Sequence, residues 1–196
     1  MQRYFILINF ILLIFMIISK VVIMKSHGKE PIKFAKTHKS DYLIPPFALL
    51  CLYQIFAHVF DLPKICDGHF ESPEVSAWFG VIVSLAGLCL LLWALISFKH
   101  SFRIGIDNEN PDKLITTGAF AVSRNPIYFA FALNVLGVFL VFPCWFFLTF
   151  LVAGCAMFHR QVLREEEFLR AHYGEDFIKY CSKVRRYIYR VSAYTH

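Results

Sequence analysis

The sequence predicts an all-α polytopic membrane protein, with about five transmembrane helices followed by amphipathic helices on the cytosolic side. Three observations carry this. Of the 196 residues 58% are hydrophobic, with a mean hydropathy of +0.55, whereas a soluble domain holds about 45–50% apolar residues. Five apolar runs follow one another along the chain, and the 22 phenylalanines exceed what a soluble surface of this size conceals. Basic residues gather in alternate connections and in the last third, the pattern of cytosolic loops beside anionic head groups. The net charge of +6 is therefore spread among short loops, without the contiguous basic face that nucleic-acid binding requires. No Gly/Ser linker and no internal repeat divides the chain, so one membrane domain is expected.

Tyr4 to Met24 forms the first run. It is long enough to cross, since a helix rises about 1.5 Å per residue against a core of about 30 Å. Lys20 and Lys25 stand where a signal peptide carries small residues for cleavage, so this helix is expected to be retained. The next connection holds Lys25, Lys29, Lys33, Lys36 and Lys39 against Glu30 and Asp41, which places it in the cytosol. The second run, Tyr42 to Phe60, carries Pro45-Pro46 in its first turns and leads to an acidic outer loop with Asp61, Asp67, Glu71 and Glu74. The third, Val75 to Phe98, presents Gly80, Ser84 and Gly87 as a small-residue face for close packing. A long polar connection, 99–125, precedes two shorter runs, Pro126 to Val141 and Cys144 to Phe158. Phe142-Pro143 separates them, and proline there breaks the helix into a tight hairpin. Each is barely long enough to span, so tilt or local thinning is expected.

Beyond the fifth run, Val162, Leu163, Glu166, Leu169 and Tyr173 recur at helical spacing and put Glu166 inside an apolar stripe. Gly174 suits a left-handed helix end, and Phe177, Tyr180 and Val184 mark a second short amphipathic helix. Five crossings leave the carboxy terminus in the cytosol, in agreement with Lys179, Lys183, Arg185, Arg186 and Arg190.

The six cysteines form no C-x-x-C pair and read as small apolar filler. The eight histidines supply no metal-ligand spacing, so no metal is expected. Asn134, Gln54 and His58 lie inside apolar runs, where hydrogen bonding between helices is the expected role.

The chemistry concentrates in two polar clusters flanking the hairpin. Asp112 to Phe120 leads into Ser123-Arg124-Asn125-Pro126-Ile127-Tyr128 on one side; Arg164-Glu165-Glu166-Glu167-Phe168-Leu169 runs to Tyr173-Gly174 on the other. Gly, Ser and Pro in the first have a structural explanation as a turn followed by a helix start. Arg124 is either an anchor reaching for head groups or part of a site. The three glutamates either pair with Arg160, Arg164 or Arg170 at helical spacing or serve a cation.

Taken together the clusters resemble the isoprenylcysteine carboxyl methyltransferase superfamily. The first motif reads Leu114-Ile115-Thr116-Thr117-Gly118, then Phe120 and Arg124-Asn125-Pro126 with Tyr128; the second reads Glu165-Glu166, Leu169, Tyr173-Gly174, Phe177 and Tyr180. The resemblance covers roughly residues 94–187. It implies an integral membrane methyltransferase that uses S-adenosylmethionine in a cytosol-facing pocket, with an N-terminal helical part at 1–93 and a methyltransferase core at 94–190. By the same resemblance Asp112, Lys113, Leu114, Ile115, Gly118, Phe120, Asn125, Pro126, Ile127, Tyr128 and Glu165 contact the cofactor. Arg124, Glu166 and the more loosely matched Asp107 lie near it. Eukaryotic members carry a substrate-binding arginine four residues before the first glutamate, where this chain has Gln161; Arg160 and Arg164 flank that position and, with Arg124 and Glu166, are the catalytic candidates. The implied partners are S-adenosylmethionine, a small or lipophilic methyl acceptor (carboxylate, thiol or amine) and the bilayer. A sterol-reductase-like protein binding NADPH, and a non-enzymatic membrane scaffold or transporter subunit, are the alternatives.

Overall fold

The computed structural model describes residues 1–26, 44–65, 68, 70–71, 73–98 and 114–187. Six α-helices occur in them: α1 (Gln2–Ser26), α2 (Ile44–Val59), α3 (Glu74–Ser97), α4 (Pro126–Val141), α5 (Trp145–Tyr173) and α6 (Glu175–Lys183), with a 3-10 turn at Gly118–Ala121 ahead of α4. Each of the five apolar runs is a helix. Helices α1, α3 and α5 are long and apolar enough to cross a membrane, while α2 and α4 are shorter apolar helices. Side chains such as Phe15, Ile82 and Val152 stand more than 60% exposed, as suits helices whose outer surface meets lipid. The protein is an all-α polytopic membrane protein.

The fourth run begins and ends where the sequence places it. Pro126 occupies the first helical position, where its missing N–H costs nothing. The Phe142-Pro143 break then lets α5 start at Trp145. The fifth run is longer than its apolar part suggests: α5 continues without interruption into the second motif for 29 residues, about 43 Å at 1.5 Å per residue. Its length is therefore not marginal for a crossing, because no residue between Phe158 and Tyr173 interrupts a helix. Gly174 ends it with a positive φ of 51° but a ψ of −120°, which turns the chain sharply into α6 without adopting the left-handed helical conformation. The stripe is also narrower than expected, since Val162 and Glu166 are buried but Leu163 is 43% exposed.

The small-residue face does bring helices together. A Cβ built on Gly137 of α4 would stand 2.6 Å from the carbonyl oxygen of Gly80 on α3, and one on Gly80 would stand 2.8 Å from that of Gly137. Here the two backbones touch, and no side chain fits between them. Substituting Gly137→Ala is expected to cost about 1–3 kcal/mol by overpacking and to lower the unfolding temperature in detergent. Gly154→Ala, whose new methyl meets nothing closer than 3.7 Å, serves as the neutral control. Equal thermal shifts for the two would contradict this packing.

Helix α1 joins that pair through polar groups. Asn9 Nδ2 donates to Ser84 Oγ and to Asn134 Oδ1, both at 2.6 Å, and Asn134 Nδ2 donates to the carbonyl of Ala130 at 2.9 Å. Asn134 thus bonds between helices as expected, with Asn9 as a partner the apolar run had concealed. Gln54 and His58 also make contacts close to their own helix. Gln54 Oε1 accepts the backbone N–H of Ile65 at 3.0 Å, and His58 Nδ1 lies 2.8 Å from the carbonyl of Gln54 within α2. Apolar packing surrounds these contacts: Ile6, Cys51, Ile55, Val138 and Phe147 form one core cluster, and Leu13, Leu91, Leu95 and Ala130 another. Among the described residues the cysteines form no disulfide, and no group of His, Cys, Asp and Glu is placed to hold a metal.

Candidate active site

The two motifs meet where α4 begins and α5 leaves its apolar part. Gly118 makes the approach possible, with φ at +65° and no room for a Cβ against the Ser97 side chain. Ser97 Oγ accepts the Ala119 N–H at 3.0 Å, tying the 3-10 turn to the end of α3. Phe120 is buried edge-on against Phe98, with ring centroids 4.6 Å apart. Its carbonyl accepts the hydroxyl of Tyr180 at 2.6 Å. Burial raises the Tyr180 phenol well above its ordinary value, so it remains a donor.

The chain after α6 folds back along the entrance to α4. The N–H groups of Arg124 and Asn125 donate to the carbonyls of Arg185 and Arg186, at 3.0 and 3.2 Å. Ser123 Oγ donates to the Arg186 carbonyl at 3.1 Å and accepts the Asn125 N–H at 3.2 Å. Ser123 therefore secures the turn without capping α4, whose N-cap residue is Asn125.

Glu166 lies at the centre. Arg124 Nε and Nη2 donate to its two oxygens at 3.1 and 3.2 Å, Asn125 Nδ2 donates at 2.9 Å, and Arg186 Nε and Nη2 donate at 3.1 and 2.9 Å. Its side chain is 9% exposed, that of Arg124 11% and that of Arg186 35%. Arg124 also donates through Nη1 to the carbonyls of Cys181 and Val184, at 3.3 and 2.8 Å. The Arg124 guanidinium is thus spent on the protein and does not reach for head groups. The hydrogen bond that Arg186 donates to Glu166 raises its guanidinium above the ordinary value, against the opposing pull of burial. Two full positive charges share one carboxylate, which leaves this cluster with an excess of positive charge.

One residue back, Glu165 accepts the hydroxyl of Tyr128 at 2.6 Å and the amide of Gln161 at 3.4 Å. The Tyr128 ring sits 5.9 Å from that of Phe158. Glu167 is exposed. The glutamates therefore do not pair with Arg160, Arg164 or Arg170, the partners that helical spacing offered. Glu166 takes Arg124 and Arg186 from other segments because the buried face of α5 points at them. Arg160 is exposed and Arg164 half-buried, and neither forms an ion pair among the described residues. Leu114 packs against the cluster of Phe177, Tyr180 and Val184, and Ile127 against that of Leu91, Leu95 and Ala130. Pro126 is buried at the helix start, and Ile115 is half-buried. Asp107, Asp112 and Lys113 lie outside the described residues.

Arg186 is the participant that sequence reasoning missed. It stood in a run of basic residues counted only toward topology, and nothing in its spacing distinguished it from Arg185. His159 and Tyr187 were missed as well: His159 Nδ1 lies 2.8 Å from the Tyr187 hydroxyl, a second tie between α5 and the returning chain.

The apolar helical hairpin of α4 and α5 carries these two motifs at its entrance and exit. The model of the family described as phospholipid methyltransferase matches residues 75–176, just over half of the chain. The chain belongs to this family. Within the wider isoprenylcysteine carboxyl methyltransferase superfamily, it is similar to a probable protein-S-isoprenylcysteine O-methyltransferase of Oryza sativa subsp. indica. The two are 26% identical over 167 residues, covering 81% of this chain and 87% of the rice protein. Protein-S-isoprenylcysteine O-methyltransferase B of Arabidopsis thaliana is 29% identical over 110 residues, 54% of this chain and 55% of the relative. The protein is an integral membrane methyltransferase. The match begins at residue 75, so it takes in α3 together with the hairpin and both motifs.

Proposed function

We propose that the protein transfers a methyl group from S-adenosylmethionine to a small or lipophilic acceptor, in a pocket at the cytosolic ends of α4 and α5. The observation that carries this reading is the meeting of Arg124, Asn125 and Tyr128 with Glu165 and Glu166 at one end of the hairpin. Bound there, the cofactor would supply an electrophilic methyl on a sulfonium. The residues present suit such a ligand. Glu165 is a carboxylate for its ammonium, and the Tyr128 face favours a cation. N–H groups at the start of α4 suit its carboxylate. Asp112 to Ile115, Gly118, Phe120 and Pro126-Ile127 complete the cofactor contacts, with Asp107 near them. The Glu166 cluster holds the first motif, the hairpin and the returning chain in register. The methyl shift is a single displacement, so these residues act by orienting the reactants and excluding water.

In this reading the chain crosses five times, with α2 and α4 as short or tilted spans, and residues 1–93 support a core at 94–190. Labelling of single cysteines placed at 25–41, 99–125 and 187 should occur from the cytosolic side; labelling of the last from outside intact cells would reverse the topology.

The acceptor class follows from an assay with methyl-labelled cofactor and three lipophilic acceptors: a prenylcysteine carboxylate, a thiol and a lipid amine. Label in a base-labile ester identifies the carboxylate, transfer to none of the three leaves a small acceptor, and no methyl transfer to any acceptor contradicts the proposal. If the acceptor is anionic, Arg160 or Arg164 stands in for the arginine absent at Gln161. Replacing the responsible one by alanine should raise the acceptor KM far more than it weakens cofactor binding. Normal turnover by the double variant would remove both from this role.

A further inference from the structure

A second polar site lies at the other end of the bundle. A cavity of about 200 Å³ opens there, lined by Arg3 of α1, His58 of α2, Glu74 and Ala77 of α3, and the Leu140–Pro143 hairpin, with Phe70 and Pro73 at its edge. The 16 residues of α4 separate it from the motif end by about 24 Å at 1.5 Å per residue, so it belongs to the opposite membrane interface. We infer that this cavity binds the head group of a zwitterionic phospholipid bearing a primary amine, with the phosphate on Arg3 and the ammonium on Glu74.

Four observations support this occupant. Arg3 and Glu74 line one cavity yet form no ion pair with each other among the described residues. Glu74 accepts a single bond from Gln2, at 3.1 Å. Two exposed, opposite charges on one cavity that do not pair with each other match the two charges of a zwitterion, whereas a lining of one sign would select a simple ion. The floor is built in advance. His58 is 3% exposed, is fixed to the Gln54 carbonyl and lies tilted against Phe142 with ring centroids 5.1 Å apart. The wall is pinned too, since the Phe70 N–H donates to the Pro143 carbonyl at 2.7 Å and its ring meets Trp145 edge-on. Finally, the surroundings suit a lipid. Trp78 packs on Phe5 one turn beyond Glu74, at the level where tryptophans anchor to the interface. Below it Phe79 and Ile82 stand 57% and 63% exposed along α3, where acyl chains can lie.

The test is native mass spectrometry of the detergent-purified full chain offered phosphatidylethanolamine, phosphatidylcholine and phosphatidylglycerol with identical acyl chains. Phosphatidylethanolamine should be retained best, because a quaternary amine cannot donate to Glu74 and a glycerol head group lacks the cation. Arg3→Gln and Glu74→Gln should each reduce its retention about tenfold, the loss of one charge-assisted bond, while binding of S-adenosylmethionine stays unchanged. Equal retention of the three lipids, or unchanged retention in both variants, would overturn the inference in favour of a general lipid annulus. Displacement of the lipid by water-soluble phosphoethanolamine at equal concentration would overturn the lipid as occupant and leave a soluble head group in its place.

Discussion

Glu166→Gln is expected to be the most damaging single change in the protein. Gln keeps the shape and can still accept from Asn125, but it leaves the Arg124 and Arg186 guanidiniums facing each other without a carboxylate. Removing one partner of a buried, hydrogen-bonded charge cluster costs about 3–5 kcal/mol, more than a membrane domain of this size can lose without consequence. The returning chain should loosen from α5, and cofactor binding should fall with it. Glu167→Gln on the exposed side of the same turn should behave as wild type. Thermal unfolding in detergent, together with binding of S-adenosylmethionine, reads both effects. Arg186→Lys should fall between them, because lysine keeps the charge but cannot reproduce the forked contact. If Glu166→Gln unfolds at the wild-type temperature, the cluster is not what holds the motifs together.

The second large effect concerns the cofactor directly. Glu165→Gln preserves volume but removes a charge-assisted bond worth roughly 1.5–3 kcal/mol. Affinity for S-adenosylmethionine should therefore fall on the order of tenfold to a hundredfold. Tyr128→Ala should be comparably severe, since it removes both the aromatic face and the hydroxyl that holds Glu165 at 2.6 Å. Tyr128→Phe retains the face and should be milder. Isothermal titration against the purified variants separates these cases. A loss at Glu165 no larger than that at the exposed Glu167 would mean that Glu165 does not pair with the cofactor.

Parts of this arrangement were legible in the sequence because local chemistry determines them. Pro126 at a helix start and Pro143 after its end set the bounds of α4, and the spacing of Gly80, Ser84 and Gly87 foretold the face on which α3 meets it. The burial of Glu166 followed from its place in an apolar stripe. What the stripe did not show was which charges would face that carboxylate. Arg160, Arg164 and Arg170 were close in sequence, but the partners came from segments 42 and 20 residues away. Such a choice is made by the packing of the returning chain and has no periodicity to read. Asn9 escaped notice for a related reason: one amide in a long apolar helix looks incidental until Ser84 and Asn134 are seen opposite it. The continuity of α5 was obscured because composition changes from apolar to charged near Phe158, whereas helix propensity does not change there.

Whether the two motifs form one S-adenosylmethionine site is decided by equilibrium binding to the detergent-purified protein. Saturable binding of S-adenosylmethionine is expected, with competition by its demethylated product, a loss on the order of tenfold or more in Glu165→Gln, and no binding of NADPH. Binding of NADPH in place of S-adenosylmethionine, or of neither ligand by a folded protein, would contradict it.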